Sequence, residues 1–450
     1  MNVKTSAVLI LALQLGLFAP LSFAVLTIEQ AEQIAARNDP GITQTLNRAK
    51  AIKSDAISQS QFPDPVVILG AQNLPTDTFK FDQEPMTQFK VGVRQMFPQG
   101  DSLSLKAGKL NTQAASMDSA ASVRYLINGK QVRSLWLEVM YWNRATEILR
   151  EDEALFTQLQ EVTHSLYSVG QVQQQDVLRA ELELSRLREK IIKAERQAES
   201  QRALLSRWVG LPALNEPWPD LLPVLPSPRN AYMPEIAANS HPVQNLADEQ
   251  QQILDSLREH PMLVGLQRQV DVAEHDIRLM QQQYKPAWGV ELSYGYRDGD
   301  NNDGSDRADF FSAMLNVSVP LFTSNRQDKS VQSATYQKAS QQNAYQDKLL
   351  EMVGEVRSLK SRLVQTNEQL ALFDEQILSK ARQQAEASLS SYQAASSGFS
   401  DVMRAYISEQ KDRLDYERLL ISRLQIVSDL QFYFFTETPD WVLLTGEAQQ

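Results

Sequence analysis

Cysteine is absent from this 450-residue sequence, and histidine occurs only four times. Without cysteine the chain can form no disulfide, carry no lipid on an N-terminal cysteine and offer no thiolate to a metal ion. The histidines do not have the spacing of a metal site; they are His164, His241, His260 and His275. The sequence therefore predicts a protein with no metal site and no cofactor.

The sequence also lacks the short motifs of common enzymes and any surplus of positive charge. It contains no G-x-S-x-G, no Walker loop and no H-E-x-x-H, so we expect no enzyme. Its formal net charge of −11 argues against nucleic acid as a partner. After residue 24 no apolar run reaches about 18 residues, the length that a membrane-spanning helix needs.

The first 24 residues have the parts of a secretory signal peptide. Lys4 is their only charge, an apolar run follows over Val8–Ala19, and Ser22–Ala24 is a small-x-small cleavage site. The alternative is a buried N-terminal helix. An exported chain without a membrane helix can still enter an outer membrane as a β-barrel, because alternation hides the apolar face of a barrel.

The remaining sequence consists of two similar halves. Asp39-Pro40 corresponds to His260-Pro261 about 221 positions later, and Asp176-Val177 corresponds to Asp401-Val402 about 225 positions later. The same relation connects Pro65 with Pro286, Pro98 with Pro320, and Tyr167 with Tyr392. A nearly constant offset indicates that one structural unit was duplicated within a single fused architecture.

Each half contains two stretches in which large apolar residues alternate with small or polar ones. In the clearest of them the apolar series is Trp288, Val290, Leu292, Tyr294 and Tyr296. A period of two places one set on each face of a strand, and about ten residues suffice to cross a bilayer at a tilt. The alternative interpretation is the edge of a soluble β-sandwich.

A very long helical hairpin follows the strands in each half. Apolar residues recur every seven positions, as in Leu135, Trp142, Leu149 and Phe156, and in Leu349, Val356, Leu363, Leu370 and Ile377. A sustained repeat of seven predicts coiled-coil packing. A continuous helix from about Asn111 to Tyr167 would rise roughly 85 Å, which is typical of a rod or of the wall of a tube.

These patterns divide the sequence into five parts. Residues 1–24 are the signal peptide, 25–210 the first repeat, 211–245 a proline-rich connector, 246–436 the second repeat and 437–450 a C-terminal tail. In the first repeat we expect strands at about 65–73 and 88–98 and a hairpin at about 101–209. In the second we expect strands at about 287–297 and 309–322 and a hairpin at about 324–435.

The order of these elements resembles the TolC-type outer-membrane efflux family over essentially the whole mature sequence. The features that carry the resemblance are Leu26–Ala31 leading to Asn38–Pro40, Val319–Phe322 closing the fourth strand, Tyr167–Gly170 with Asp176–Ala180 at the first hairpin tip, and Tyr392, Gly398 and Asp401-Val402 at the second. Each motif is short, but their order and their duplication together are distinctive.

The resemblance implies a mainly α protein with a transmembrane β part. Three chains would form a 12-stranded β-barrel continued by a 12-helix periplasmic α-barrel. Elementary physics agrees with the assembly, because four strands cannot close a barrel and open strand edges cannot face lipid. The implied location is the outer membrane of a Gram-negative bacterium, in contact with outer-membrane lipid and extending into the periplasm.

The resemblance also implies a gate at the hairpin tips. The tip and gate residues are Tyr167, Asp176, Arg179, Tyr392, Asp401 and Arg404. Tyr392 and Asp176 would belong to a latch between neighbouring helices, and Asp401 would be an acid in a ring. The sequence departs from the family at Ser397, where an Arg is common, and at Arg404, where a second acid is common. The alternative role of Asp176 and Asp401 is helix N-capping.

The implied function is a passive exit duct of a tripartite efflux system, formed by a homotrimer. It would dock a periplasmic adaptor (membrane fusion) protein and an inner-membrane pump. Gln95–Gly100 is loosely similar to members that serve heavy-metal pumps of the RND type, so heavy-metal ions or small toxic compounds are the expected cargo. The alternatives are a multidrug or type I secretion duct and, from another class, a periplasmic coiled-coil scaffold with no pore.

Overall fold

The computed structural model describes residues 25–225, 246–394 and 396–435. The predicted signal peptide, most of the connector and the predicted tail lie outside the described residues. In the first half the helices and strands are α1 (Ile28–Asn38), α2 (Pro40–Gln59), β1 (Val66–Gln72), β2 (Gln88–Phe97), α3 (Ser102–Ser168), α4 (Gln174–Val209) and the short α5 (Pro212–Asn215). In the second half they are α6 (Leu246–Arg258), α7 (Pro261–Gln282), β3 (Ala287–Tyr296), β4 (Phe310–Ser318), α8 (Gln327–Leu372), a π-helical turn (Phe373–Ile377), α9 (Leu378–Gln393) and α10 (Phe399–Tyr433).

The described part of the chain is thus mainly helical with one small sheet, as the sequence predicts. The sheet is antiparallel with the order β1-β2-β3-β4, and the central pair β2–β3 joins the two halves of the duplication. β4 ends at Ser318, four residues before the expected limit. Pro320 explains the early end, because proline has no N–H to donate to a strand ladder.

Among the described residues, no helix combines the length and the apolar character needed to cross a membrane.

The described residues divide into two compact units, of which the second contains the sheet and comprises residues 38–131, 225, 246–383 and 418–435. Its core is a cluster on α6, α7, α8 and α10 that includes Leu257, Leu263, Met352, Val356 and Leu430. The heptad residues of α8 are buried from Leu349 to Leu370. Ile377 leaves the buried series because it ends the π-helical turn, whose wider turn shifts the phase of the following residues.

The first unit comprises the described residues 25–37, 132–224, 384–394 and 396–417 and contains both hairpin tips. Heptad residues of α3 and α4 form much of its core, together with the start of α10. Its buried residues include Leu149, Phe156, Leu184, Leu187, Ile191, Tyr392, Phe399 and Val402. The seven-residue spacing therefore positions the tips by bringing one apolar stripe from each helix together.

Candidate functional site

The first hairpin tip is a tight turn between α3 and α4. Gly170 has a φ of 75°, a left-handed conformation that glycine adopts at little cost. Its N–H donates to the carbonyl of Tyr167 at 3.0 Å, and the N–H of Gln171 donates to the carbonyl of Leu166 at 2.9 Å. These bonds satisfy the last carbonyls of α3, and they leave the side chain of Tyr167 about half exposed.

Asp176 caps the helix that follows this turn. It is the third residue of α4, and its Oδ2 accepts a hydrogen bond of 3.3 Å from the backbone N–H of Gln173. An acid in this position also interacts favourably with the positive end of the helix dipole. The capping role that the sequence left open for Asp176 is therefore present in the structure.

Asp401 occupies the matching position at the start of α10. Its backbone N–H donates to the carbonyl of Gly398 at 3.0 Å, and its carboxylate lies 3.7 Å from the guanidinium of Arg404. Both side chains are more than half exposed, so the pair contributes little to stability. The ion pair nevertheless places a positive charge directly beside the predicted ring acid.

Tyr392 is buried inside the first unit. Its ring packs edge-on against Phe399 with a centroid distance of 5.7 Å. Its hydroxyl is buried beside Thr163 and makes no hydrogen bond of normal geometry within the described residues. Burial raises the pKa of the Tyr392 phenol, Thr163 opposes the rise, and the carboxylate of Asp176 adds to it. Within one chain, the structure therefore brings Tyr392 near Asp176 without a hydrogen bond between them.

Two further contacts hold the tips together. Nη1 of Arg179 donates to the hydroxyl of Ser400, which connects the start of α4 to the start of α10. Nε2 of His164 lies 3.1 Å from a carboxylate oxygen of Glu181, which connects the end of α3 to α4. Sequence reasoning selected Arg179 but missed these partners, because nothing in the local pattern shows which helices become neighbours.

The sheet presents one continuous apolar face. The register aligns Leu69 with Val91, Val91 with Tyr294, and Tyr294 with Phe311, so that these residues share a face. Large side chains on this face are about half exposed or more; they include Val67, Leu69, Val91, Val93, Trp288, Leu292, Tyr294, Phe311, Leu315 and Val317. An exposed apolar face of this extent is typical of an interaction site or a membrane-facing surface.

The opposite face of the sheet carries a charged cluster. Glu291 is almost fully buried, and its carboxylate accepts from Lys90 at 2.8 Å and from Arg94 at 2.6 Å. Lys90 and Arg94 are four residues apart on β2, an even spacing, and therefore point to the same side as Glu291 on β3. The signal that could have predicted this cluster is the shared strand parity of three charges of complementary sign.

Comparison with known proteins gives the family of the second half. Residues 253–433 match the family described as outer membrane efflux protein. This part of the chain is therefore similar to outer membrane efflux proteins. The match covers α7, β3, β4 and α8 completely, and it extends to the last residue of α10. Among curated proteins, no relative matches the sequence.

Solved structures show the same fold over nearly the whole chain. CusC is 13% identical with a TM-score of 0.74, and the alignment covers 92% of each chain. VceC of Vibrio cholerae is 13% identical with a TM-score of 0.72, covering 90% of this chain and 95% of VceC. The CmeC outer membrane channel of Campylobacter jejuni is 11% identical with a TM-score of 0.74, covering 94% and 90%.

The match over residues 253–433 confirms the resemblance predicted from the sequence, and the description of the matched family agrees with the predicted outer-membrane location. The family that this part of the chain matches consists of efflux proteins rather than enzymes, in agreement with the expectation that the protein is not an enzyme. Within the described parts of the chain, no group of three His, Asp or Glu side chains could hold a metal ion.

One polar cluster in the helical hairpins escaped sequence reasoning. Nε2 of Gln410 donates to Asp152 at 2.8 Å, Nζ of Lys190 donates to Gln410 at 2.9 Å, and Nη1 of Arg413 lies 3.3 Å from Asp152. Burial raises the pKa of Asp152, while Gln410 and Arg413 oppose the rise. Asp152 follows Leu149 by three positions, an inward heptad position, and a charge there signals a buried partner.

Proposed function

We propose that the protein is one of three identical subunits of an outer-membrane exit duct. The observation that carries the proposal is a four-stranded sheet with an exposed apolar face and two open edges, β1 and β4. In lipid, unpaired N–H and C=O groups along such edges cost several kcal/mol each, by the usual order-of-magnitude estimate. Pairing β1 of one subunit with β4 of the next removes both edges, and three subunits give twelve strands.

The two faces of the sheet support a water-filled barrel. The apolar face suits lipid, and the opposite face carries Lys90, Arg94 and Glu291, which suit an aqueous lumen. The duct does no chemistry. It lowers the barrier to export by replacing the lipid with a wet path through the membrane.

The helical hairpins supply the periplasmic part of the duct. Two hairpins from each of three chains would give a tunnel of twelve helices whose tips face the inner membrane. There the duct would dock a periplasmic adaptor protein and an inner-membrane pump, which supplies the energy. The gate would lie at the tips, close to Asp176, Tyr392 and Asp401, which the fold brings into one unit.

The cargo we propose is a heavy-metal ion or a small toxic compound, exported with an RND-type pump. The support is the loose similarity of Gln95–Gly100 to duct proteins of that subgroup. Deletion of the gene should then lower tolerance to metal ions. Normal metal tolerance with increased sensitivity to dyes and antibiotics would favour a multidrug duct, and loss of one secreted protein would favour a type I secretion duct.

The decisive experiment is the assembly state and conductance of the purified protein. We expect a detergent-dependent trimer that conducts ions in planar lipid bilayers. A water-soluble monomer without conductance would contradict the proposal and would favour the periplasmic scaffold.

A further inference from the structure

A basic pocket of about 640 Å³ lies on the second unit between α3, α7 and the start of α8. Its lining carries a net formal charge of +2, whereas the whole chain carries −11. A concave positive surface on a negative protein favours an anionic ligand. The polar lining includes Lys109, Asp276, Arg326, Lys329, Ser330 and Ser333.

Two of the three cations have no carboxylate partner among the described residues. Nζ of Lys109 lies 2.6 Å from Asp276, the only acid that lines the basic pocket. The guanidinium of Arg326 makes no hydrogen bond or ion pair with the described part of the chain, and Nζ of Lys329 donates to the amide oxygen of Gln332 at 3.0 Å. Arg326 and Lys329 are both exposed, so their charges are available to a ligand.

An exposed apolar segment leads from the end of β4 to the basic pocket. Val319, Leu321 and Phe322 are 60%, 75% and 88% exposed. The carbonyl of the next residue, Thr323, accepts from the N–H of Arg326 at 3.1 Å, and this turn keeps the apolar segment close to the cations. The two surfaces together suit a ligand with an apolar chain and an anionic head.

Aromatic rings mark the same end of the sheet. Phe97, the last residue of β2, has its ring centroid 5.4 Å from that of Trp288 at the start of β3 and 5.6 Å from that of Phe62. Phe62 and Trp288 are 61% and 49% exposed. Exposed aromatic side chains at the end of apolar strands are typical of the level of the lipid headgroups.

We propose that the basic pocket binds the phosphate group of an anionic phospholipid in the leaflet that faces the periplasm. Arg326 and Lys329 would contact the phosphate, and Val319–Phe322 would contact the acyl chains. The inference rests on the proposed outer-membrane duct, because only a sheet inside the membrane brings lipid to this level.

Two carboxylates outside the basic pocket are possible competitors for its cations. Asp328 lies between the two cations in sequence, but it does not line the pocket and it accepts a hydrogen bond from the hydroxyl of Tyr284. A neighbouring subunit would bring its own Asp64, two residues before β1, towards the end of β4. One carboxylate cannot balance both Arg326 and Lys329, so the pocket would keep a positive charge in the trimer.

Lipid binding to the purified full-length trimer tests the proposal. Native mass spectrometry compares phosphatidylglycerol with phosphatidylcholine of the same acyl chains. We expect a preference for phosphatidylglycerol of about 25-fold, a factor of about five for each unpaired cation. Arg326→Gln with Lys329→Gln should abolish the preference. Lys50→Gln with Arg362→Gln removes the same charge outside the pocket and should preserve it; Arg362 lies roughly 54 Å along α8 from Arg326.

Two further variants separate the charge from the apolar contact. Arg326→Lys with Lys329→Arg keeps both charges and should keep the preference. Leu321→Ser with Phe322→Ser leaves the cations in place but should weaken the binding of both lipids, because the acyl chains lose their contact.

Three results would overturn the proposal. Equal binding of the two lipids by a conducting trimer would do so while leaving the proposed duct intact. Competition by glycerol 3-phosphate as strong as that by phosphatidylglycerol would assign the basic pocket to a soluble phosphate. A preference that appears only in Asp64→Asn would assign it to the neighbouring subunit. A water-soluble monomer would instead contradict the duct itself, and the lipid site with it.

Discussion

Asp39 and His260 occupy the same position in the two repeats, and each caps a helix with a different kind of acceptor atom. Each precedes a proline and caps a helix: Oδ1 of Asp39 accepts from the N–H of Gly41 at 2.9 Å, and Nδ1 of His260 accepts from the N–H of Met262 at 3.2 Å. Nε2 of His260 faces the carbonyl of Phe432, so it must carry the proton. Both contacts therefore require a neutral imidazole.

We predict that this histidine makes the second unit sensitive to acid. Burial, with Lys348 adding to it and the bond to Phe432 opposing it, lowers the pKa of His260 from 6.5 to about 4. The stabilisation is complete above pH 6.5 and is lost as the pH falls towards 4, at a cost of about 3 kcal/mol. The thermal midpoint of the helical circular dichroism signal should fall over this range.

Two matched variants distinguish the protonation of His260 from the general effect of acid on the stability of the protein. His260→Asn keeps a capping acceptor and should flatten the profile between pH 6.5 and 4. His164→Gln alters an exposed histidine and should leave the profile unchanged. An unaltered profile in His260→Asn would show that other groups control the acid response.

The gate prediction combines Tyr392 and Asp176. Tyr392 and Asp176 make no hydrogen bond within one chain, so the predicted latch requires a bond between neighbouring subunits. Replacing the phenol and the carboxylate together, in Tyr392→Phe with Asp176→Ala, should then raise the single-channel conductance, since a hydrogen bond to a charged group contributes roughly 1.5–3 kcal/mol and three copies act together. Tyr406→Phe is the control, because Tyr406 packs against the same core. Conductance at the level of the parent protein would leave Tyr392 as core packing and Asp176 as a helix cap.

The charged side chains at the second tip should act on the passing ions rather than on the opening of the gate. Asp401→Ala should change ion selectivity, or block by multivalent cations, more than it changes conductance. Arg404→Ala should shift selectivity towards cations, because it removes the positive charge 3.7 Å from the Asp401 carboxylate. Reversal potentials in a salt gradient measure both effects. If both variants have the same reversal potential as the parent protein, these side chains lie outside the ion path.

At the scale of the element, the strands were the most predictable part of the fold. Their limits differ from the expected ones by four residues at most, because a period of two in large and small residues is a strong local signal. The helical hairpins were predictable from their heptads, except at the π-helical turn Phe373–Ile377. That turn arises from backbone hydrogen bonding, which has no counterpart in the apolar spacing.

The two faces of the strands should differ in how well they tolerate a charged substitution during outer-membrane insertion. Leu292→Arg or Val317→Arg, each on the exposed apolar face, should impair outer-membrane insertion by roughly 2–4 kcal/mol if the residue lies near the bilayer midplane. Asn316→Lys lies next to Val317 and points to the other face, so it should be tolerated. The yield of protein in outer-membrane fractions measures the difference. Equal yields for the arginine and lysine variants would show that the assignment of the faces is wrong.

At the scale of the whole molecule, the repeat could be predicted from the sequence, but the contacts between residues far apart in the chain could not. Asp152 and Gln410 are 258 positions apart, and Lys90 and Glu291 are 201 apart. Strand parity can place Lys90 and Glu291 on one face of their strands, but no local pattern shows that the two segments become neighbours, because tertiary packing decides helix neighbours and strand order. The candidate tip residues were predicted from the resemblance to the efflux family together with their repetition, and the partners Ser400 and Glu181 became visible only in the fold.

The open edges of the sheet lead to the last prediction, the closure of the assembly. If β1 of one subunit pairs with β4 of the next, Ile68→Cys combined with a cysteine at Ser312, Met314, Asn316 or Ser318 should form a disulfide between chains. All five positions lie on the same face of the sheet, and one register should react best. Because a ring closes, the covalent products should be dimers and trimers and nothing larger. Ile68→Cys alone is the control and should give no trimer. A ladder that continues beyond three chains would indicate an open chain of subunits, and a product confined to single chains would mean that the edges of one sheet meet each other.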